Sequence, residues 1–143
     1  ELIVSPPHRV LLRSRIARRM FDETEVLVAA KKLAGLPGIG LATELRSVLY
    51  WHILLDRHEI VLSNGAPTES LFTGPHALQI VGEEAREEIL KLFPELADDT
   101  TPMAPVRRIA ARKEAARLRQ RHLKTGRPLI EPAREAAKSP QMA

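Results

Sequence analysis

Short apolar stretches separated by turn residues dominate the first 73 residues of the chain. "ELIV" and "RVLL" each have the composition of a strand. Pro6 and Pro7 lie between them, and because proline cannot donate to a strand ladder we expect a turn there. A basic segment follows and is predicted to be irregular or a short helix. The next apolar run, Val26 to Val28, predicts a strand and leads into a short helix that Gly35 can end.

Residues 46–63 carry the strongest strand pattern. "RSVLYWHILL" and "HEIVLS" are rich in Val, Ile, Leu and aromatic residues, which favour strands. Asn64 and Gly65 form a pair typical of sharp hairpin turns, and "ESLF" is predicted to return as a third strand. Several of these strands have no obvious local partner. A sheet made from them alone would leave exposed edges.

After Gly74 the pattern becomes helical. "PHALQIV" predicts a short helix and "GEEAREEILKLFPEL" a longer one. The apolar positions of the longer helix fall on one face: Ala85, Ile89, Leu92 or Phe93, and Leu96. Residues 105–123 predict a long basic helix with a weak apolar stripe at Val106, Ile109, Ala110 and Leu118. We therefore divide the chain into a β region at 1–73, a helical extension at 74–97, a linker at 98–104, and a basic helix with a mobile tail at 105–143.

The charge is concentrated in the last part of the chain. The net charge is +4, and residues 101–143 hold eleven Lys or Arg against three Asp or Glu, which leaves a net −4 on the first hundred residues. A basic segment can bind nucleic acid or an anionic membrane surface. No aromatic residues interleave these charges as a base-stacking surface would require, so a solvated helix face is the favoured interpretation.

Several kinds of site and segment are excluded by what the sequence lacks. It has no cysteine, which rules out disulfides, thiolate catalysis and cysteine zinc sites within these residues. It has no run of eighteen apolar residues, so we expect no membrane span, and its first residues lack the features of a signal peptide. No pair of histidines has metal-ligand spacing, so neither a metal nor a cofactor is predicted.

Three stretches carry a resemblance to a known family. The stretches "LIVSPPHRVLL", "DETEVLVAAKKLAG" and "VLYWHILLDRHEIVLSNGAPTESLFTG" cover about residues 1–73. They are similar to the C-terminal two thirds of bacterial Hint (hedgehog/intein) domains, in particular an alphaproteobacterial branch. "PVRRIAARKEAARLR" resembles the basic helix that often follows. The resemblance implies a mainly β Hint-type fold, incomplete at its N-terminus, with α-helices added at the C-terminal end.

The resemblance also implies autocatalytic protein processing. In such domains a Cys or Ser at the domain's start attacks the preceding carbonyl, and a second nucleophile resolves the thioester or ester. Ser5 and His8 in "SPPHRV" match the block that orients and protonates the scissile amide. Asp56 and His58 in "DRHEIVLSNG" match the later block that assists resolution. Alternation along a strand would place Asp56 and His58 on one face, where the carboxylate would bias the imidazole.

Two departures from the family pattern predict that this chain alone does not splice. It contains no cysteine and begins with Glu1, and "APTESLF" follows Asn64 and Gly65 where inteins have a terminal His-Asn pair. We expect the chain by itself to be inactive, with its own flanking polypeptide as substrate and the missing N-terminal Hint segment as partner. No turnover enzyme is expected. Relatives are often parts of large secreted bacterial proteins, which leaves the localisation open.

Two other classes of function remain open. The acidic helix at 83–96 and the basic helix at 105–123 could pack on each other or on a partner as a non-catalytic interaction module. Nucleic-acid binding by the basic segment rests on charge alone and predicts a steep dependence on salt. Among the other conspicuous side chains, Tyr50 and Trp51 are predicted to be core or edge aromatics. His52 is predicted to pack in the sheet or face water, and His76 and His122 to lie on helix surfaces.

Overall fold

The computed structural model describes residues 1–73, 78, 81–98 and 103–133. His76, residues 99–102 of the predicted linker, and the predicted mobile tail at 134–143 lie outside the described residues. Most of the short helix predicted at "PHALQIV" lies outside them as well. The fold below is therefore that of the β region, the acidic helix and the basic C-terminal segment.

One mixed sheet of five strands organises the described part of the chain. The strands are β1 (Arg9–Arg13), β2 (Glu25–Ala29), β3 (Ile60–Ser63), β4 (Ala66–Glu69) and β5 (Arg108–Ile109). Their order across the sheet is β3-β4-β1-β2-β5. Neighbouring strands are antiparallel except β2 and β5, which run parallel. The strands predicted at "RVLL", Val26 to Val28 and "HEIVLS" are thereby confirmed.

Three α-helices whose full lengths lie in the described residues accompany the sheet. They are α1 (Arg15–Phe21), α2 (Glu83–Leu92) and α3 (Arg112–Thr125), and short 3₁₀ turns lie at Ala30–Lys32 and Pro94–Ala97. In the described part of the chain, none of the helices has the length and apolar character needed to cross a bilayer. The predicted mainly β class is corrected to a mixed α and β fold, because the helices are as prominent as the sheet and a predicted strand does not form.

That missing strand is the segment at 46–55. It forms neither helix nor strand, and most of its apolar side chains are exposed, with Trp51 retaining 84% of its accessible surface. Leu49, Tyr50 and Ile53 are exposed too, so the expectation of core or edge aromatics is wrong. A strand that is apolar on both faces needs neighbouring strands and cover on both sides. The described residues supply neither. "ELIV" at 1–4 also forms no strand.

The turn at Asn64 and Gly65 is confirmed and fixes the β3-β4 hairpin. Both residues have positive φ, 49° and 80°, as a two-residue type I′ turn requires. Because the turn has only these two residues, the return strand begins immediately at Ala66 and pairs with Ser63. The strand predicted at "ESLF" therefore lies three residues too late, and only its first residue, Glu69, belongs to β4.

The hydrophobic core joins the sheet to the basic helix. Leu12 of β1, Val26 of β2, Ile16 of α1 and Leu118 of α3 belong to one buried cluster. The basic helix begins at Arg112 and not at 105, because the residues just before it extend β2 as strand β5. The division of the chain into separate regions stays a prediction, but the core itself is continuous across the predicted linker.

His122 is buried, which corrects its predicted place on a helix surface. Its Nδ1 lies 3.1 Å from the carbonyl oxygen of Arg127, so Nδ1 carries a proton and donates it. Its Nε2 then accepts from the Ser14 hydroxyl at 3.1 Å, while the same Ser14 oxygen caps α1 by accepting from the amide of Ala17. This chain of hydrogen bonds ties the end of α3 to the start of α1.

Replacing Leu118 tests whether α3 belongs to the core. Leu118→Ala should lower the free energy of unfolding by roughly 2 to 5 kcal/mol, because it leaves a cavity among buried side chains. Leu123→Ala, on the same helix with 44% of its surface exposed, is the matched control and should have a much smaller effect. Urea unfolding followed by circular dichroism measures both, and equal effects would contradict a shared core.

Candidate functional site

The carboxylate of Glu69 lies at the centre of the candidate site. Antiparallel pairing of Val10 with Thr68 places Glu69 opposite Arg9, between β1 and the hairpin. The side chain keeps only 7% of its accessible surface. Its Oε1 accepts the backbone N–H of Arg9 at 2.9 Å, and its Oε2 lies 3.0 Å from Nη1 of the same arginine. Glu69 therefore binds both the main chain and the side chain of β1.

His58 is the second partner of this carboxylate. It precedes β3, is 2% exposed, and its Nε2 lies 3.0 Å from Oε2 of Glu69. Its Nδ1 accepts the backbone N–H of Val106 at 3.1 Å. A backbone amide can only donate, so Nδ1 is unprotonated and the proton sits on Nε2, from which it is donated to Glu69. The Phe72 ring covers the imidazole at a centroid distance of 4.8 Å.

The electrostatics of His58 agree with this neutral tautomer. Burial lowers the pKa of His58 below its ordinary value, although the Glu69 carboxylate favours the charged form, and Arg9 acts in the same direction as burial. The contact between His58 and Glu69 is therefore a hydrogen bond to a carboxylate and not an ion pair at neutral pH. Both ring nitrogens of His58 are occupied, and the side chain has a positioning role in this arrangement.

His8 differs from His58 in the hydrogen bonding of its ring. It lies just before β1 and is half-buried, and in the described part of the chain no hydrogen bond reaches its imidazole. Its ring centroid is 6.5 Å from that of His52, which itself is exposed. Burial lowers the pKa of His8, opposed by Glu69 and reinforced by His52 and Arg9. At neutral pH His8 is thus a neutral imidazole with nitrogens free for proton transfer.

The structure brings Ser5 and His8 into one turn but does not pair Asp56 with His58. The His8 amide donates to the Ser5 carbonyl at 3.0 Å across Pro6 and Pro7. Asp56 is exposed in a bend, and among the described residues it makes no hydrogen bond or ion pair. The expectation that 56 and 58 share a strand face is wrong, because β3 begins only at Ile60. The catalytic roles of these four residues stay predictions.

Sequence reasoning missed Glu69, Arg9 and Val106. An acidic residue inside a predicted strand is a usable signal, because carboxylates are rarely buried without a partner. The hairpin turn gives its register, and Glu69 lies opposite Ile60. Val106 contributes only its main-chain amide, so no side-chain pattern could identify it. In the described part of the chain no group of three His, Asp or Glu side chains is placed to hold a metal ion.

Comparison with known families identifies the fold to which these residues belong. A family model described as the Hint domain matches residues 1–75, more than half of the chain. The chain belongs to the Hint domain family. The predicted resemblance is confirmed at that level, whereas the alphaproteobacterial branch and the N-terminal truncation stay predictions. Glu69 lies within the Hint match and Val106 lies outside it. No curated protein and no solved structure matches the chain.

Removing the central carboxylate should destabilise this Hint domain. Glu69→Ala leaves the Arg9 amide and the His58 Nε2–H without their acceptor, and we expect a loss of about 3 kcal/mol in the free energy of unfolding. Glu59→Ala removes an exposed carboxylate nearby and is the matched control. Chemical unfolding measures both variants. A loss in Glu69→Ala no larger than in the control would show that the network contributes no stability.

The free energy of unfolding should also decrease as the pH is lowered through the range in which histidine ordinarily titrates. The folded Hint domain holds His8 and His58 neutral, so below about pH 6.5 the unfolded chain binds more protons than the folded one. The free energy of unfolding should decrease from pH 7.5 to 5.5, and less steeply in His58→Gln. Urea titrations at each pH test this. Stability that rises as the pH falls would have the wrong sign.

Proposed function

We propose that this Hint domain chain acts in autocatalytic cleavage of a polypeptide to which it is joined. Membership of the family implies an autoprocessing type of function at a coarse level. The observation that carries the finer proposal is the contrast between the two histidines: His8 has unoccupied ring nitrogens in the described part of the chain, beside a network in which His58 and Glu69 are fully hydrogen-bonded. Such a site combines one histidine that can transfer a proton, His8, with two side chains that hydrogen bonds hold in place, His58 and Glu69.

His8 supplies the proton transfers in this proposal. The sulfur or oxygen of the nucleophile attacks the carbonyl carbon of the preceding peptide bond, and the neutral imidazole takes its proton. The carbon–nitrogen bond then breaks, and the imidazolium returns the proton to the departing amine. A neutral His8 suits the first step, because a base must be unprotonated to accept. Ser5 is placed by the same proline turn and would orient the scissile amide.

Asp56 and His58 are proposed for the later step, in which water or a second nucleophile attacks the thioester or ester. The exposed Asp56 carboxylate is accessible to such a nucleophile. His58 can serve as a base only after one of its ring nitrogens is released from Val106 or Glu69. The first step therefore does not depend on proton exchange at His58, whereas the later step does.

We also propose that a Hint segment outside these 143 residues, upstream of Glu1, carries the nucleophile and pairs with residues 46–55. A thiol nucleophile must come from outside these 143 residues, because they contain no cysteine. From Glu44 to His52 the described residues make no backbone hydrogen bonds, so amide and carbonyl groups are available for an added strand. The Leu71 amide bonds the Ile53 carbonyl at 2.7 Å and fixes one end of the segment beside the hairpin.

A non-catalytic interaction module is the second candidate. Helix α2 supports it, because none of its residues is buried and its first turn carries Glu83 and Glu84. Among the described residues no ion pair joins α2 to the basic helix α3, so the acidic face of α2 would have to meet another molecule. Such a module would be indifferent to the loss of His8, which separates it from processing.

The test begins with the codons that precede Glu1. The longer chain is expressed and its mass is followed with and without added thiol, which traps a thioester. We expect cleavage before an upstream Cys or Ser, and we expect His8→Ala to reduce the rate at least a hundredfold, the usual contribution of a general acid-base group. His52→Ala is the matched control, since its ring is nearby but exposed.

Three results would count against the processing proposal. One is the absence of an upstream segment that begins with Cys or Ser. Another is an intact mass of the longer chain under all thiol conditions, and the third is cleavage that survives His8→Ala. Binding of an unrelated partner that is unaffected by His8→Ala would then favour the interaction module, and strong salt dependence of binding to DNA or RNA would favour nucleic-acid recognition.

A further inference from the structure

The candidate site extends beyond the part of the chain that the family accounts for. The Hint match ends at residue 75, but the hydrogen bond that fixes the His58 tautomer comes from the amide of Val106. We call residues Met103 to Glu131 the C-terminal clasp. The clasp also touches the end of the Hint region at Thr73, whose hydroxyl donates to the Met103 sulfur at 3.5 Å.

Close to His58, the clasp is held by an arginine next to Val106. Nη1 of Arg107 donates to the Val106 carbonyl at 2.9 Å, and its Nε donates to Glu25 at 2.6 Å. Glu25 also accepts from Arg13 at 2.7 Å. Burial acts to raise the pKa of the Glu25 carboxyl, but hydrogen bonds from Arg107 and Arg13 hold it below its usual range. The Val106 peptide is therefore fastened to the start of β2 by a charged carboxylate.

Farther along, the clasp is integrated into the sheet and core. The Ala110 amide donates to the Leu27 carbonyl at 2.9 Å, beside the parallel pairing of β5 with β2. Arg13 bonds the far end of the clasp on both sides, donating to Leu129 at 2.9 Å and accepting from Glu131 at 2.6 Å. These contacts determine where the Val106 amide points, so docking of the clasp and the state of His58 are linked.

We propose that the C-terminal clasp controls proton exchange at His58. When the clasp is docked, the Val106 amide occupies Nδ1 and Glu69 holds the Nε2 proton, so His58 only positions Glu69. When the Val106 amide withdraws, Nδ1 becomes a free base. The proposal rests on the proposed processing function for its biological consequence: the clasp would hold back the later step, which needs His58, without affecting the first step at His8.

The charges around His58 give the direction of the effect. Glu69 on β4 and the neighbouring Glu59 favour an imidazolium, whereas Arg9 on β1 disfavours it. The docked Val106 amide blocks the nitrogen that would accept the second proton. Without that amide, protonated His58 can keep its bond to the Glu69 carboxylate as an ion pair. Loss of the Val106 donor should therefore raise the pKa at which His58 titrates.

Proline at position 106 tests this directly. Val106→Pro removes the amide donor, and Val106→Ala, the matched control, keeps it. Nitrogen-15 NMR of the imidazole, recorded across a pH titration of the full chain, reports both tautomer and protonation of His58. We expect Val106→Pro to shift the titration upward by about one pH unit, the equivalent of one lost hydrogen bond of ordinary strength. Wild type and Val106→Ala should keep the Nε2–H tautomer and titrate together.

A titration of Val106→Pro that matches wild type would overturn the proposal, as would an equal shift in Val106→Ala. If circular dichroism shows that Val106→Pro does not fold, Arg107→Ala replaces it, because it frees the Val106 peptide without touching His58. Its matched control is Arg108→Ala, which breaks the ion pair with Glu114 instead. We expect an upward shift only in Arg107→Ala, and the absence of that shift would equally overturn the proposal.

The His58 titration tests the clasp proposal and the cleavage assay tests the processing proposal, so either proposal can be refuted without the other. If Val106→Pro shifts the His58 titration in a longer chain that never cleaves, the processing proposal is refuted and the clasp proposal stands. Cleavage in a longer chain whose His58 titration is unchanged by Val106→Pro would refute the clasp alone. In a chain that cleaves, release of the clasp should speed the resolution step and leave formation of the thioester or ester unchanged. An effect on formation alone would contradict the assignment of His58 to the later step.

Discussion

The burial of the Glu69 carboxylate is the constraint on which the rest of the site depends. A carboxylate removed from water destabilises the fold unless donors surround it, and here β1 supplies a main-chain and a side-chain donor while His58 supplies a third. Each donor is thereby held in place as firmly as the strand that carries Glu69. The hairpin, the central strand and the loop before β3 consequently keep one relative position, which a processing site made from separate segments requires.

The constraint imposed by Glu69 extends through His58 to the C-terminal clasp. The Val106 amide donates to Nδ1 of His58, so the single proton of the neutral ring is held on Nε2, from which it is donated to the Glu69 carboxylate. The amide is in turn oriented by Arg107 and Glu25. A single buried charge is in this way connected to β5, α3 and the end of β1. The two histidines of the site acquire different chemistry from one network, since His8 adjoins it but donates nothing to it.

The elements that follow from local pattern were predictable, and those that depend on distant partners were not. The hairpin at Asn64 and Gly65 and the helix α2 are fixed by turn chemistry and periodicity within a few residues. The segment at 46–55 has a strand composition, yet a strand forms only where another backbone pairs with it. His8 was found through a motif, whereas Val106 acts through an amide that every residue except proline has. Burial of His122 likewise depends on Ser14, 108 residues away.

The exposed segment at 46–55 has a further consequence for handling the isolated chain. Residues 47–55 contain no acidic or basic residue apart from one histidine, no proline and no glycine, and they combine high β propensity with several bulky apolar side chains. Stretches of this composition can stack as steric zippers between molecules and nucleate fibrils. Arg46 on one side and Asp56 with Arg57 on the other act as gatekeeper charges that oppose such stacking. Colloidal stability of the free chain would then depend on ionic strength, through charges that lie outside the apolar segment itself.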